Sequence, residues 1–199
     1  ASGSDLRVSG VASGAVVEDK AYFRVGAYKR DYDGQIDNPF LNKTVDFHKE
    51  NSVFGKLSID VSDESILDLN VRLTNTEAGI GYYQPVDANS VEDFSLQVEH
   101  NVPGLDTRDL SEFSARFSHE FEASTLELVA GYSESDQSGF SDADFSNQPS
   151  DFDGFYYAGA QENILKVEST TFEARLKSND DSRLRWAVAA FMQERSRDS

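Results

Sequence analysis

Apolar and polar residues alternate with period two over long stretches of this chain. Leu67, Leu69, Val71 and Leu73 point one way while Asp68, Asn70, Arg72 and Thr74 point the other, an alternation that an extended strand turns into two unlike faces and a helix cannot use. Leu57, Ile59 and Val61 repeat it against Lys56, Ser58 and Asp60, and Phe113, Ala115, Phe117 and Phe121 against Ser114, Arg116, Ser118 and Glu120. Leu184, Trp186, Val188, Ala190 and Met192 form a last apolar row, although its opposite face is mixed. The pattern predicts about eight strands, near 5–16, 20–31, 52–61, 66–76, 109–121, 124–134, 165–178 and 183–195. The first is the least marked, because Gly10, Ala12, Gly14 and Ala15 leave both its faces small.

Parity constrains the joins, since facing residues of an antiparallel pair share a side and a one-residue slip inverts every position. The strands at 52–61 and 66–76 both carry apolar residues at odd numbers, so their loop is odd and Ser62-Asp63-Glu64 fits it. The strand at 124–134 carries Leu126, Leu128, Ala130 and Tyr132 at even numbers, so the join before it is even, with Ala123-Ser124 the tightest choice. Joins near 18–20, 62–65, 122–124 and 179–182 are short, whereas those over 33–50, 77–108 and 136–164 are long. Tight turns on one side and wide loops on the other are the layout of a transmembrane β-barrel wall. Three further signs agree with a wall. The strands reach the ~9–11 residues that cross a bilayer at a tilt. Charges stand mid-strand on the polar face, and aromatics (Phe23, Phe121, Trp186, Tyr132) lie near strand ends. A soluble sandwich or lipocalin-like barrel that binds a carbohydrate or lipid alternates in the same way, and it requires Leu67, Leu69, Val71 and Leu73 to be covered by a second layer.

The net charge of −18 excludes the basic footprint of a nucleic-acid binder. Without cysteine there is no disulfide framework, thiol nucleophile or thiolate metal site. No apolar run is long enough for a transmembrane helix. No catalytic constellation stands out. His48, His100 and His119 are far apart in sequence and lack partners at metal-ligand spacing, and His119 has the apolar parity of its strand. Asp31 to Asp37 has carboxylates two apart and a glycine, as in a calcium loop, but the remaining ligand spacing is missing, so a turn at a strand exit is expected. The candidate ligand contacts are loop aromatics, Tyr82 and Tyr83 in the second long loop and Phe155, Tyr156 and Tyr157 in the third. Such clusters either pack on one another or form a binding surface. No cofactor and no metal site is expected.

Three segments carry a family resemblance. Ala21-Tyr22-Phe23-Arg24-Val25-Gly26-Ala27-Tyr28-Lys29-Arg30-Asp31-Tyr32 and the loop residues to Asn38 resemble a strand and loop opening of TonB-dependent outer-membrane receptors. The hairpin from Gly55 to Val71 resembles a mid-barrel hairpin of the same family. Thr171-Phe172-Glu173-Ala174-Arg175-Leu176-Lys177-Ser178 with Arg183-Leu184-Arg185-Trp186-Ala187-Val188-Ala189-Ala190-Phe191 is similar to a hairpin of the form Q-E-L-R-L-x-S … L-x-W-x-x-G-x-Y, departing from it at Phe172 and Ala174 and at Ala189 and Phe191, where the family often has Gly and Tyr. The resemblance implies an all-β, antiparallel up-and-down meander, 1–199, forming part of a barrel of about 22 strands with no plug domain. It further implies an outer membrane of a Gram-negative bacterium, outer-membrane lipid around the wall, a ferric siderophore as ligand of the intact receptor, and TonB acting through the missing plug. No enzyme activity is implied. Arg24, Arg30, Arg72, Arg116, Glu127, Glu173 and Arg175 would then line the inner wall, and some would touch the plug. A complete small outer-membrane barrel, serving as adhesin or structural protein, stays open as an alternative and requires the first and last strands to pair.

Overall fold

An antiparallel backbone ladder runs unbroken across the molecule. The structure is a computed structural model. It describes residues 3–81, 83, 97–147, 150–152, 155–157, 159–179 and 183–199, the segments 150–152 and 155–157 by their backbone alone. Eight long strands form one sheet: β1 (Asp5–Val17), β2 (Ala21–Tyr32), β5 (His48–Ser62), β6 (Ser65–Ala78), β7 (Leu105–Glu120), β8 (Ser124–Asp142), β11 (Ala160–Ser178) and β12 (Ala187–Asp198), in that spatial order. Two small hairpins stand within the long joins, β3 (Asp37–Asn38) with β4 (Lys43–Thr44) and β9 (Ser150–Phe152) with β10 (Phe155–Tyr157). The fold is therefore an all-β, up-and-down antiparallel meander forming an arc of barrel wall.

The register keeps the two faces apart. Leu69 stands opposite Leu57 and Ala115, and the same row continues through Phe23 on one side and through Ala130, Phe172 and Met192 on the other. One residue along, Asn70 joins Lys56 and Arg24, Ser114, Gly131 and Thr171. The tight turns step progressively along these rows, by about two residues per hairpin, which at ~3.3 Å rise and ~4.8 Å strand spacing is a strand inclination of roughly 30°.

Both parity requirements hold, through different turn residues. Between β5 and β6 the turn is Asp63-Glu64, and the odd residue is Val61, bulged between the pairs Asp60–Ile66 and Ser62–Ser65. Between β7 and β8 the turn is Glu122-Ala123, one residue earlier than Ala123-Ser124, with Phe121 N–H on the Ser124 carbonyl at 2.7 Å. The first hairpin turns through Asp19 at φ 57° and carries a second bulge between Ala15 and Val17. The last join is longer than predicted: pairing resumes at Ala187, Ser178 N–H reaches the Trp186 carbonyl at 2.9 Å, and residues 180–182 lie outside the described set.

The strands also run well past the predicted loop-side ends. β8 continues to Asp142, β7 begins at Leu105 and β11 at Ala160. Beyond Tyr132 both faces of β8 are mainly polar, so apolar alternation fades there while the hydrogen-bond ladder continues.

Two alternatives fall on this geometry. Among the described residues β1 pairs only with β2 and β12 only with β11, so the sheet is open and not a closed small barrel. Among the described residues no second layer covers the apolar row: Leu69 is 38% and Leu73 41% exposed, as a sandwich would not allow. Among the described residues Val45 and Val98 alone are buried apolar side chains, and both belong to the loops.

Gly26 marks a tight spot on the polar face. A Cβ there would lie 2.5 Å from the ring of Phe54, its cross-strand partner. Gly26→Val should lower the unfolding free energy of the intact protein in urea by about 1–3 kcal/mol through overpacking. Adding Phe54→Ala should restore part of that loss, and an unchanged double variant would refute the contact.

Candidate functional site

Polar side chains at the loop end of the sheet gather three loops into one layer. Gly34, at φ 89°, turns the chain out of β2, and the Asp46 carboxylate then accepts the Gln35 and Ile36 N–H groups, each at 2.7 Å, and the Tyr32 hydroxyl at 3.2 Å. Asn38 is fully buried; its Nδ2 donates to the His100 carbonyl at 2.9 Å and its Oδ1 accepts from Leu41 N–H at 3.1 Å. This joins the first long loop to the second. Asp142, at the end of β8 and 1% exposed, accepts four backbone N–H groups: Asn101 at 3.1 Å, Val102 at 3.3 Å, Asp144 at 3.0 Å and Phe145 at 2.7 Å. This joins the second loop to the third. A carboxylate so buried is tolerable because charge-assisted bonds replace its water.

Of the predicted loop aromatics, Tyr83 is the one described with its side chain. Tyr83 joins this layer: it is 69% exposed, its ring meets Phe145 edge-on at 6.3 Å, and its carbonyl accepts from the buried His100 ring. His100 also lies against Phe145, at 5.7 Å between centroids. Tyr82 lies outside the described residues, and Phe155, Tyr156 and Tyr157 are placed only as backbone of β10. Sequence reasoning passed over Asp46 and Asn38, and reached Asp142 only as one acid of the loop 136–164. A signal existed in Asn38-Pro39 and Asp142-Ala143-Asp144, where Asx residues at strand exits fold back on the backbone.

The polar face is sorted by charge. Arg7, Arg24, Arg30, Lys56, Arg72, Arg108, Arg116, Arg175, Lys177, Arg195 and Arg197 stand on it, eleven of the chain's 18 Lys and Arg. Among the described residues nine of its 36 Asp and Glu do, namely Asp5, Glu50, Asp60, Asp68, Asp106, Glu112, Glu120, Glu127 and Glu173.

The charges form three levels. At the loop end Asp5 sits between Arg7 and Arg30, the latter at 3.0 Å. At the turn end Glu127 takes Arg116 at 3.0 Å and Lys177 at 3.2 Å, beside the Arg175–Glu173 pair at 2.6 Å. Between them Arg24 and Lys56 face each other across β2 and β5, and neither has an ion-pair or hydrogen-bond partner among the described residues. Arg72 has Glu112 only at 3.9 Å. Arg24, Lys56, Asp68 and Arg116 border a hollow of about 440 Å³.

No protein-family description matches the chain, and no curated relative does. Solved structures do resemble it. The chain has the barrel-wall fold of siderophore receptors. One is the ferric yersiniabactin uptake receptor FyuA from Yersinia pestis, with a TM-score of 0.75 and 13% identity over 98% of this chain and 30% of that one. Another is the siderophore receptor PirA from Acinetobacter baumannii, with a TM-score of 0.64 and 14% identity over 98% and 28%. The chain thus spans about three-tenths of the length of each.

Asp142→Ala should release the loop layer and leave the sheet intact. Hydrogen exchange at Asn101, Val102, Asp144 and Phe145 should speed up by about ten-fold or more, the equivalent of ~1.4 kcal/mol, with the amides of β6 and β7 unchanged. Unaltered exchange would show that the loops hold without the carboxylate.

Asp5 ties the loop end of the first hairpin through Arg7 and Arg30. Asp5→Asn should lower hydrogen-exchange protection at the loop end of β1 and β2 by a few-fold, and unchanged protection would show that these two ion pairs hold nothing there.

Proposed function

We propose that this chain is a stretch of the barrel wall and loops of a TonB-dependent outer-membrane receptor that takes up a ferric siderophore. The observation that carries the reading is an apolar face that none of the described residues covers. Val25, Val53, Leu69, Leu73, Phe113 and Phe172 are all exposed on that face, far more contiguous apolar surface than a soluble monomer leaves to water. A bilayer is the medium in which such a belt is stable, and the antiparallel ladder meets lipid's demand that backbone groups be satisfied internally. The polar face becomes the lumen, the short turns face the periplasm and the loop layer faces outward.

The transport reading rests on the likeness to two siderophore receptors together with a loop layer that is held in place by buried polar contacts. Binding loops on a rigid scaffold suit capture of a scarce solute. The ligand acts as cargo, and the chain carries out no covalent chemistry. Tyr83 is the described member of the predicted aromatic contacts that stands exposed in that layer. TonB and a plug domain would act through parts of the receptor beyond this wall.

The test is uptake of radiolabelled iron by cells expressing the intact receptor. Cells would be offered ferric catecholate, hydroxamate and phenolate complexes in turn. One class should support uptake that depends on the receptor, and Tyr83→Ala should raise the half-saturating concentration several-fold, about what loss of one aromatic contact gives. Equal uptake of every class with and without the receptor would overturn the proposal.

A further inference from the structure

The polar face carries two hollows that meet. The first, of about 440 Å³, is the one bordered by Arg24, Lys56, Asp68 and Arg116. The second, of about 460 Å³, extends from Lys56 and Asn70 across Ser114 and Gly131 to Thr171. Lys56 and Asn70 border both. One register row runs through the pair of hollows: Arg24, Lys56, Asn70, Ser114, Gly131 and Thr171. Cations stand at one end of that row and amide and hydroxyl groups toward the other, with the Asn70 amide on the Ser114 hydroxyl at 3.2 Å. Gly131 adds no side chain to the second hollow; a Cβ there would come within 2.7 Å of the Thr171 hydroxyl.

Charge in the hollows is out of balance. Four cations border them, Arg24, Lys56, Arg72 and Arg116, against two carboxylates, Asp68 and Glu112. Arg116 is taken by Glu127 at 3.0 Å. Asp68 accepts the Ser58 hydroxyl at 2.7 Å, and Glu112 stands 3.9 Å from Arg72. Arg24 and Lys56 are left exposed and facing each other, and no described residue neutralises them. Phe54, whose ring leans over Gly26, stands on the loop side of this pair, and Tyr22 borders it on the turn side. A guanidinium takes a carboxylate through two parallel N–H bonds, and an ammonium adds a mobile point charge beside it. The amide and hydroxyls farther along the row suit the uncharged oxygens of the same molecule.

We propose that this part of the lumen wall is a station for a carboxylate-bearing solute on its way inward. Arg24 and Lys56 take the carboxylate, and the row from Asn70 to Thr171 takes the uncharged polar body of the same solute. The inference rests on the transport reading above and adds a second site, on the periplasmic side of the loop layer. A cleft lined by one sign of charge raises the local concentration of its counter-ion. Passage is fastest where binding is strong enough to admit a solute and weak enough to release it. Two exposed cations meet that condition better than the Glu127 cluster, whose Arg116 and Lys177 are already matched. Each member of a like-charged pair disfavours the other, so an anion between them relieves both. The station acts on the rate of passage, and capture is left to the loops.

Uptake by energised cells expressing the intact receptor would be measured with two ferric complexes of the class it accepts. One bears a carboxylate not bound to iron, and the other is its methyl ester. The wild type should move the carboxylate complex about ten-fold faster at saturation, the size of one charge-assisted contact. Arg24→Gln with Lys56→Gln should bring the two maximal rates together. The half-saturating concentrations should not change, nor should binding of either complex to de-energised cells, which also reports a folded receptor. Lys56→Arg, which keeps the charge, should retain the preference. A preference that survives in the double variant overturns the station. An equal loss for both complexes with binding intact also overturns it, and assigns the pair to an acidic group of the receptor itself. Receptor-dependent uptake that is blind to the carboxylate in the wild type refutes this inference alone, whereas absence of receptor-dependent uptake of either complex refutes the transport reading with it.

Discussion

Everything in this molecule depends on the register of one antiparallel ladder. Side chains alternate with period two, so a slip of one residue would carry Arg24, Lys56, Arg72 and Arg116 to the apolar face and send Leu57, Leu69 and Ala115 to the polar one. On a lipid-facing wall each charge so displaced would cost about 2–4 kcal/mol near the midplane. The two bulges sit where they do least harm, next to the tight turns at the ends of β1 and β5. There each absorbs one odd residue of the hairpin and leaves the rows beyond it in phase.

The ladder sorts charge as well as polarity. A chain of net charge −18 gathers most of its arginine and lysine on one face and leaves much of its acid to the loops and the outer rim. The levels of that face then differ in kind. Asp5 and Glu127 each join two cations, which fixes the ends of the wall. Arg24 and Lys56 are like charges placed directly opposite, an arrangement that disfavours the pair by up to about 1 kcal/mol. Among the described residues neither has a carboxylate to hold it. The middle of the wall is thus where an anionic group in the lumen would find cations not already engaged.

The parts of this fold legible in the sequence were those under a periodic constraint. The Leu67–Leu73 row and the parity of the hairpins follow from period two alone, and the structure meets both. Individual turn residues were not legible, because a bulge at Val61 with a short turn satisfies parity as well as the loop Ser62-Asp63-Glu64 does. Strand ends beyond Glu134 and before Asp109 were missed for a related reason. Above the apolar belt both faces are wet, so hydrophobic alternation disappears while backbone pairing goes on. The loop layer was the least legible part. Asp142 contacts Asn101 across forty-one residues, and no local pattern announces such a partner. Aromatic content drew attention to Tyr82, Tyr83 and 155–157, whereas the contacts that place the described loops are made by Asn and Asp.

The two edges of the sheet bear on how the wall is completed. β1 has thirteen residues and β12 twelve, and among the described residues each is paired along one side only. Neither contains proline or the shortened span by which soluble sheets protect an edge. In water such edges would recruit other strands, and in a bilayer every unpaired N–H and C=O would cost several kcal/mol. Edges of this length are therefore built to be continued by neighbours in register. A likeness that covers nearly all of this chain but only three-tenths of each receptor fits that geometry. The wall's own contacts set its register and its two faces, and closure of the barrel must come from strands that pair with β1 and β12.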